Sequence, residues 1–113
     1  MKIDTAVGIL GALAHPHRLR VFRMLVAAGK NGMSAGALAK QLRVAPGTLS
    51  FHLKELAGVG LLAARPDAQF IFYSANFRLM NEFVEHLTEN CCGGAACEIG
   101  AAGDSRQPVR KVA

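Results

Sequence analysis

No apolar stretch in this 113-residue chain approaches the roughly 18 residues that a membrane span needs, because Arg, His or Gly interrupts each one early. No membrane partner is expected. The start, Met-Lys-Ile-Asp, lacks the uninterrupted apolar block and small-residue cleavage site of a secretory signal, so a cytoplasmic location is expected. Cysteine is scarce and confined: Cys91, Cys92 and Cys97 are an odd number and too clustered to frame a disulfide-rich secreted domain. Acidic residues are nearly missing from the first half, where Asp4 and Glu55 face Arg18, Arg20, Arg23, Lys30, Lys40, Arg43 and Lys54. The chain also lacks an anion-cradling Gly-rich loop and a clear base beside Cys91 or Cys92, which counts against a thiol reductase or any other enzyme.

What is present fits one small domain. An apolar content of 51% builds a single core with little to spare, and no internal repeat or long linker divides it. Thirteen Lys and Arg against eight Asp and Glu leave a formal net charge of +5, compatible with a polyanionic partner.

Ile3, Val7, Leu10 and Leu13 recur at helical spacing, giving a first helix that stops near His15-Pro16. Proline suits a first turn, so His17 to Ala28 reads as a second helix, closed by Gly29 and Gly32. Ser34 is placed to cap a short helix over 35 to 42, with Leu38 and Leu42 on one face. Pro46 opens another, running to about Ala57 with Leu49, Leu53 and Leu56 in one stripe. Leu61 to Arg65 and Phe70 to Ser74 read as strands of a β-hairpin joined by a four-residue loop, Pro66-Asp67-Ala68-Gln69. Phe77, Met80, Phe83, Val84 and Leu87 mark a last helix over 76 to 89. From Gly93 onward the composition predicts a mobile tail.

The order α-α-α-α-β-β-α is mainly helical with a hairpin wing, the order of a winged helix-turn-helix, in which the helix over 46 to 57 enters the major groove. With its leucines turned inward, Gly47, Thr48, Ser50, Phe51 and Lys54 face outward. Thr48 and Ser50 suit base edges or phosphates, Phe51 a thymine methyl and Lys54 a phosphate, while Gly47 permits close approach. Arg43 in the preceding turn and Arg65 and Gln69 at the wing are further DNA-binding candidates. His52 falls nearer the core stripe, where packing or capping competes with a DNA contact. His15 and His17, flanking a proline at a helix start, read as caps or surface residues rather than ligands.

Cys91-Cys92-Gly93-Gly94-Ala95-Ala96-Cys97 brings three thiols within seven positions, with glycines that let the backbone fold back. Three thiolates satisfy trivalent arsenic or antimony as a pyramid, whereas zinc needs a fourth ligand such as His86 or Glu98. Adjacent Cys91 and Cys92 would form a strained disulfide, while Cys97 is able to pair with either.

Leu13-Ala14-His15-Pro16-His17-Arg18-Leu19, Ser34-Ala35-Gly36-Ala37-Leu38-Ala39 and Thr48-Leu49-Ser50-Phe51-His52-Leu53-Lys54-Glu55-Leu56 resemble the ArsR/SmtB family of metal-responsive repressors, over roughly residues 5 to 92. The resemblance implies a homodimer built on the first and last helices, with Ile3, Val7, Leu10, Met80, Phe83 and Leu87 at the interface. It implies two recognition helices reading a near-palindromic double-stranded operator. It also implies that Cys91, Cys92 and Cys97 bind the inducer, about one arsenic(III) or antimony(III) per subunit, with no organic cofactor.

Two features depart from the family: the wing tip is Asp67-Ala68-Gln69 rather than glycine with a basic residue, and residues 34 to 42 carry no cysteine pair. Residues 1 to 90 are therefore expected to bind DNA and dimerise, and 91 to 113 to hold the inducer segment and tail. Sensing of zinc, cadmium or thiol oxidation by the same fold, and an architectural DNA binder without a sensor, are the alternatives.

Overall fold

Among the described residues, the apolar periodicity becomes five helices: α1 (Ile3–Leu13), α2 (Pro16–Ala28), α3 (Ala35–Leu42), α4 (Pro46–Gly58) and α5 (Phe77–Thr88). The structure, a computed structural model, describes residues 1–94. The expected tail from residue 95 onward, including Cys97 and Glu98, lies outside the described residues.

The starts of α2, α3 and α5 are fixed by side-chain acceptors for otherwise unpaired N–H groups. The His15 imidazole Nδ1 accepts from the His17 N–H at 3.1 Å ahead of Pro16, and Ser34 Oγ accepts from the Ala37 N–H at 3.1 Å. Asn76 Oδ1 accepts from the Leu79 N–H at 3.2 Å. The expected capping roles of His15 and Ser34 are thus present.

The hairpin consists of β2 (Leu62–Asp67) and β3 (Phe70–Ala75), antiparallel, with Asp67 opposite Phe70. Its loop is Ala68-Gln69 rather than the expected four residues, because Pro66 and Asp67 extend the ladder instead of turning. Ala68 takes φ 59° at the first loop position, the sign that a tight primed turn requires. A strand not expected from the sequence, β1 (Met33–Ser34), pairs with the other side of β3, giving the order β1-β3-β2. Gly32 makes this possible: its φ is 70°, and a Cβ there would collide with the Tyr73 carbonyl oxygen.

Ile9, Val21, Leu25, Leu38, Leu49, Leu56 and Leu61 are fully buried, so α1 to α4 and the approach to β2 share one core. Burying each such side chain contributes about 1.5–3 kcal/mol against the cost of ordering the chain.

Candidate nucleic-acid interface and thiol site

The turn ahead of α4 is shaped by Arg43, which sits in the left-handed region (φ 59°, ψ 44°) and donates its N–H to the Ala39 and Lys40 carbonyls at the end of α3. Val44 N–H also bonds Ala39 O at 3.2 Å, and Ala45 then runs extended into Pro46. This closes α3 and redirects the chain within three residues, leaving the Arg43 side chain exposed. Left-handed backbone costs a non-glycine residue about 1–2 kcal/mol, so the surrounding helices hold it there.

Leu49, Leu53 and Leu56 turn into the core as the spacing demanded, which leaves Gly47, Thr48, Ser50, Phe51 and Lys54 exposed on the opposite face of α4. Phe51 keeps 56% of its surface in solvent. An aromatic ring, two hydroxyls and an ammonium on one open helix face match the mixture of apolar and hydrogen-bonding groups displayed in a major groove. Gly47 faces open space, with nothing within 4 Å of where a Cβ would be.

His52 does not belong to that face. It is 4% exposed, its Nδ1 is buried without a hydrogen-bond partner, and its ring lies 4.5 Å from that of His15 and 5.6 Å from that of His17. The sequence expectation of a DNA contact at His52 is corrected, because 100° per residue from Leu49 carries position 52 under the corner between α1 and α2. Beside it, Arg18 of α2 approaches Glu55 of α4 at 3.6 Å, a pair not foreseen in the sequence.

On the wing, Arg65 and Phe72 are cross-strand partners, and the guanidinium stacks 5.2 Å from the ring centroid. That contact holds the Arg65 charge against the hairpin and limits its reach. Gln69 lines a recess of about 330 Å³ with Ser34, Ser50, Leu53, Phe70 and Tyr73, between the wing, the start of α3 and α4.

The expected dimer stripe divides in two. Ile3, Val7, Leu10 and Leu87 are exposed, the first of them by 67%, as an interface awaiting cover would be. Phe83 is 8% exposed and Met80 half-buried, so both of these expected interface residues already pack largely within their own chain. They nonetheless border an apolar groove of about 500 Å³ with Leu13, Leu19, Phe22, Val26 and Val84, between α2 and α5.

Beyond α5, Asn90 and Cys92 adopt positive φ and Gly93 N–H bonds Asn90 O at 2.8 Å, coiling Cys91–Gly94 into a short 3-10 turn. This places Cys91 Sγ 3.6 Å from Cys92 Sγ. Two thiolates bound to one ion at about 2.3 Å in roughly tetrahedral geometry would stand about 3.8 Å apart. At this distance a thiol–thiol hydrogen bond, with either sulfur donating, joins the pair, and the spacing is also near that of two thiolates on one ion. Among the described residues no group of three His, Cys, Asp or Glu side chains is arranged to hold a metal. His86, the zinc-ligand alternative, instead lies 4.0 Å from Glu89.

Residues 13–65 match a family model described as a helix-turn-helix domain. The chain is 40% identical over 73 residues to the nodulation protein NolR of Rhizobium meliloti, covering 65% of this chain but 57% of that protein. It is 33% identical over 89 residues to the HTH-type transcriptional regulator YgaV of Escherichia coli K12, covering 79% of this chain and 88% of that one. Among solved structures, HlyU of Vibrio cholerae superimposes with TM-score 0.64 at 32% identity, covering 81% of this chain and 99% of HlyU. An ArsR-like regulator from Rhodococcus gives 0.66 at 25% identity, covering 91% and 86%. The homodimeric winged helix-turn-helix DNA-binding domain of a possible ArsR-family regulator from Mycobacterium bovis gives 0.64 at 26% identity, covering 76% and 84%.

Proposed function

The chain belongs to the ArsR family of winged helix-turn-helix transcriptional regulators, and on that premise we propose that it is a homodimeric repressor whose operator is released when a trivalent metalloid is captured by Cys91, Cys92 and Cys97. The observation that carries this reading is the 3.6 Å approach of Cys91 Sγ to Cys92 Sγ beside the end of α5. Cys97, three positions after Gly94, enters through the chemistry of the donor set: arsenic(III) and antimony(III) are thiophilic and take three sulfurs, about one ion per subunit.

Dimerisation follows from the exposed stripe of Ile3, Val7, Leu10 and Leu87, in keeping with the homodimeric Mycobacterium neighbour. A two-fold dimer presents two α4 helices, each offering Thr48, Ser50, Phe51 and Lys54 to one half of a near-palindrome. Arg43 adds a phosphate contact at the entrance to α4.

The thiols act through α5, whose 12 residues span about 18 Å. At its far end Asn76 Nδ2 donates to Gly60 O at 2.9 Å, and the Asn76 N–H donates to Leu61 O at 2.8 Å, tying α5 to the segment that leaves α4. Drawing three thiolates together at one end of α5 shifts a helix whose other end is bonded to the exit from the DNA-reading helix. A hundredfold loss of operator affinity corresponds to about 2.7 kcal/mol of coupling.

The test is operator binding with and without arsenite, using a duplex isolated by in vitro selection. The wild type is expected to release this duplex on arsenite addition, and Cys91→Ser, Cys92→Ser and Cys97→Ser to remain bound. Release from all three variants overturns the thiol assignment. A disulfide detected by mass after mild oxidation, with release following oxidant instead of arsenite, assigns the thiols to redox sensing.

A further inference from the structure

The histidines left over from the DNA face and the thiol site converge on one place. His52 projects from the buried side of α4, His15 caps α2 and His17 follows two residues later; their ring centroids lie 4.5 to 5.7 Å apart. His17 Nδ1, His52 Nδ1 and Arg18 Nε are all buried without hydrogen-bond partners. His52, 4% exposed, is accommodated there most readily as the neutral imidazole, since an added charge on it would be cut off from water. Glu55, on the same helix, is already shared with Arg18 at 3.6 Å.

We propose that His52, packed against the rings of His15 and His17, is a proton-sensitive latch, which seats the DNA-reading helix on the α1–α2 corner when His52 is neutral and unseats it when His52 is protonated. The effector is the proton itself. The reading of α4 as the DNA-contacting helix supplies the functional consequence, while the latch is measurable in the protein without DNA.

The charges acting on His52 come from α2 and its cap, namely His15, Arg18 and His17, and α1, α3 and β2, which also pack near α4, add none among the described residues. Burial pushes the His52 pKa below its ordinary 6.5, and the neighbouring His15, Arg18 and His17 push it the same way. The sign follows: below pH 6.5 the unfolded chain binds this proton more readily than the folded one. The stability conferred by neutral His52 is complete above that pH and is lost progressively as the pH falls beneath it. Because α1 and α5 carry the proposed dimer contacts and α4 the DNA contacts, loosening this corner alters the position of the reading helix relative to its two-fold mate.

The experiment uses tag-free full-length protein. NMR pH titration of the imidazole Cε1–H signals is expected to give His52 a midpoint below 6.5, and thermal melts followed by circular dichroism to fall by about 5 °C more between pH 7.5 and 5.5 in wild type than in His52→Gln. Should His52→Gln fail to fold, His15→Asn serves instead: asparagine keeps an N-cap acceptor but removes the imidazole 4.5 Å from His52, so the His52 midpoint is expected to rise. On a duplex selected in vitro at pH 7.5, wild-type affinity is expected to drop about tenfold at pH 5.5. Tighter binding in acid would mean that the imidazoliums meet phosphates, and overturns the latch. A His52 midpoint at or above 6.5, or one unmoved in His15→Asn, also overturns it. Melting raised by zinc and lowered by a chelator would assign the cluster to a metal and overturn the proton reading. No binding to any selected duplex, alongside the expected titration, overturns the DNA reading while leaving the latch in place.

Discussion

The side-chain amide of Asn76 donates to the Gly60 carbonyl at 2.9 Å while its Oδ1 accepts from Leu79 N–H at 3.2 Å, so one residue both starts α5 and grips the exit from α4. The two halves of that amide are separable by substitution. Asn76→Asp keeps the cap acceptor and loses the donor; it is expected to fold with α5 intact yet release DNA less completely on arsenite addition. Asn76→Ala loses both and is expected to cost about 1–3 kcal/mol in urea unfolding. Equal arsenite response in Asn76→Asp and wild type would remove this bond from the coupling route.

Gly32 sets the third strand. A side chain at position 32 meets the Tyr73 carbonyl and also requires an unfavourable φ of 70°. Gly32→Ala is therefore expected to destabilise the protein by about 2 kcal/mol or more, read as a lowered urea midpoint with an unchanged slope.

Arg43 combines a strained backbone with an exposed cation at the entrance to α4. Arg43→Gly is expected to gain about 1 kcal/mol of stability and raise the melting temperature, while weakening DNA binding and reducing its salt slope by about one. A variant more stable and equally tight at all salt concentrations would exclude Arg43 from the interface.

Lys54 and Phe51 share the open face of α4 but touch different parts of a duplex in the proposed complex. Lys54→Ala should weaken all duplexes alike, as loss of a phosphate contact does, whereas Phe51→Ala should cost about 1 kcal/mol only where a thymine methyl is read. Parallel binding curves over a panel of single-base variants distinguish the two.

Val7 and Leu10 are 58% and 48% exposed in the single chain. Val7→Glu combined with Leu10→Glu is expected to preserve the helical circular dichroism spectrum and to yield monomers in sedimentation. A dimer that survives both charges would place the interface elsewhere.

Much of this architecture was legible from local pattern. Ser34, Leu38 and Leu42 sufficed for α3 because cap and stripe lie within a few residues of one another, and the leucines of α4 assigned its outward face for the same reason. β1 was invisible: two residues, Met33 and Ser34, contain no alternation and become a strand only through pairing with Tyr73 and Phe72, some 40 positions away. The wing loop was read too long because Pro66 signals a turn locally, although an edge strand accommodates it. Phe83 shows a further limit. Periodicity puts it on the same stripe as Leu87, yet only tertiary packing decides that one is covered by its own chain and the other left bare. The convergence of His15, His17 and His52 likewise depends on how α4 meets α2, which spacing alone does not specify.

In the proposed dimeric repressor, the bare apolar stripe of α1 and α5 makes gene dosage part of the regulatory logic. Where protomers are dilute enough that most remain single, the amount of paired protein grows as the square of the amount synthesised, so halving expression leaves about a quarter of the paired form. A promoter under such control switches over a narrower span of protein abundance than one governed by a self-sufficient monomer.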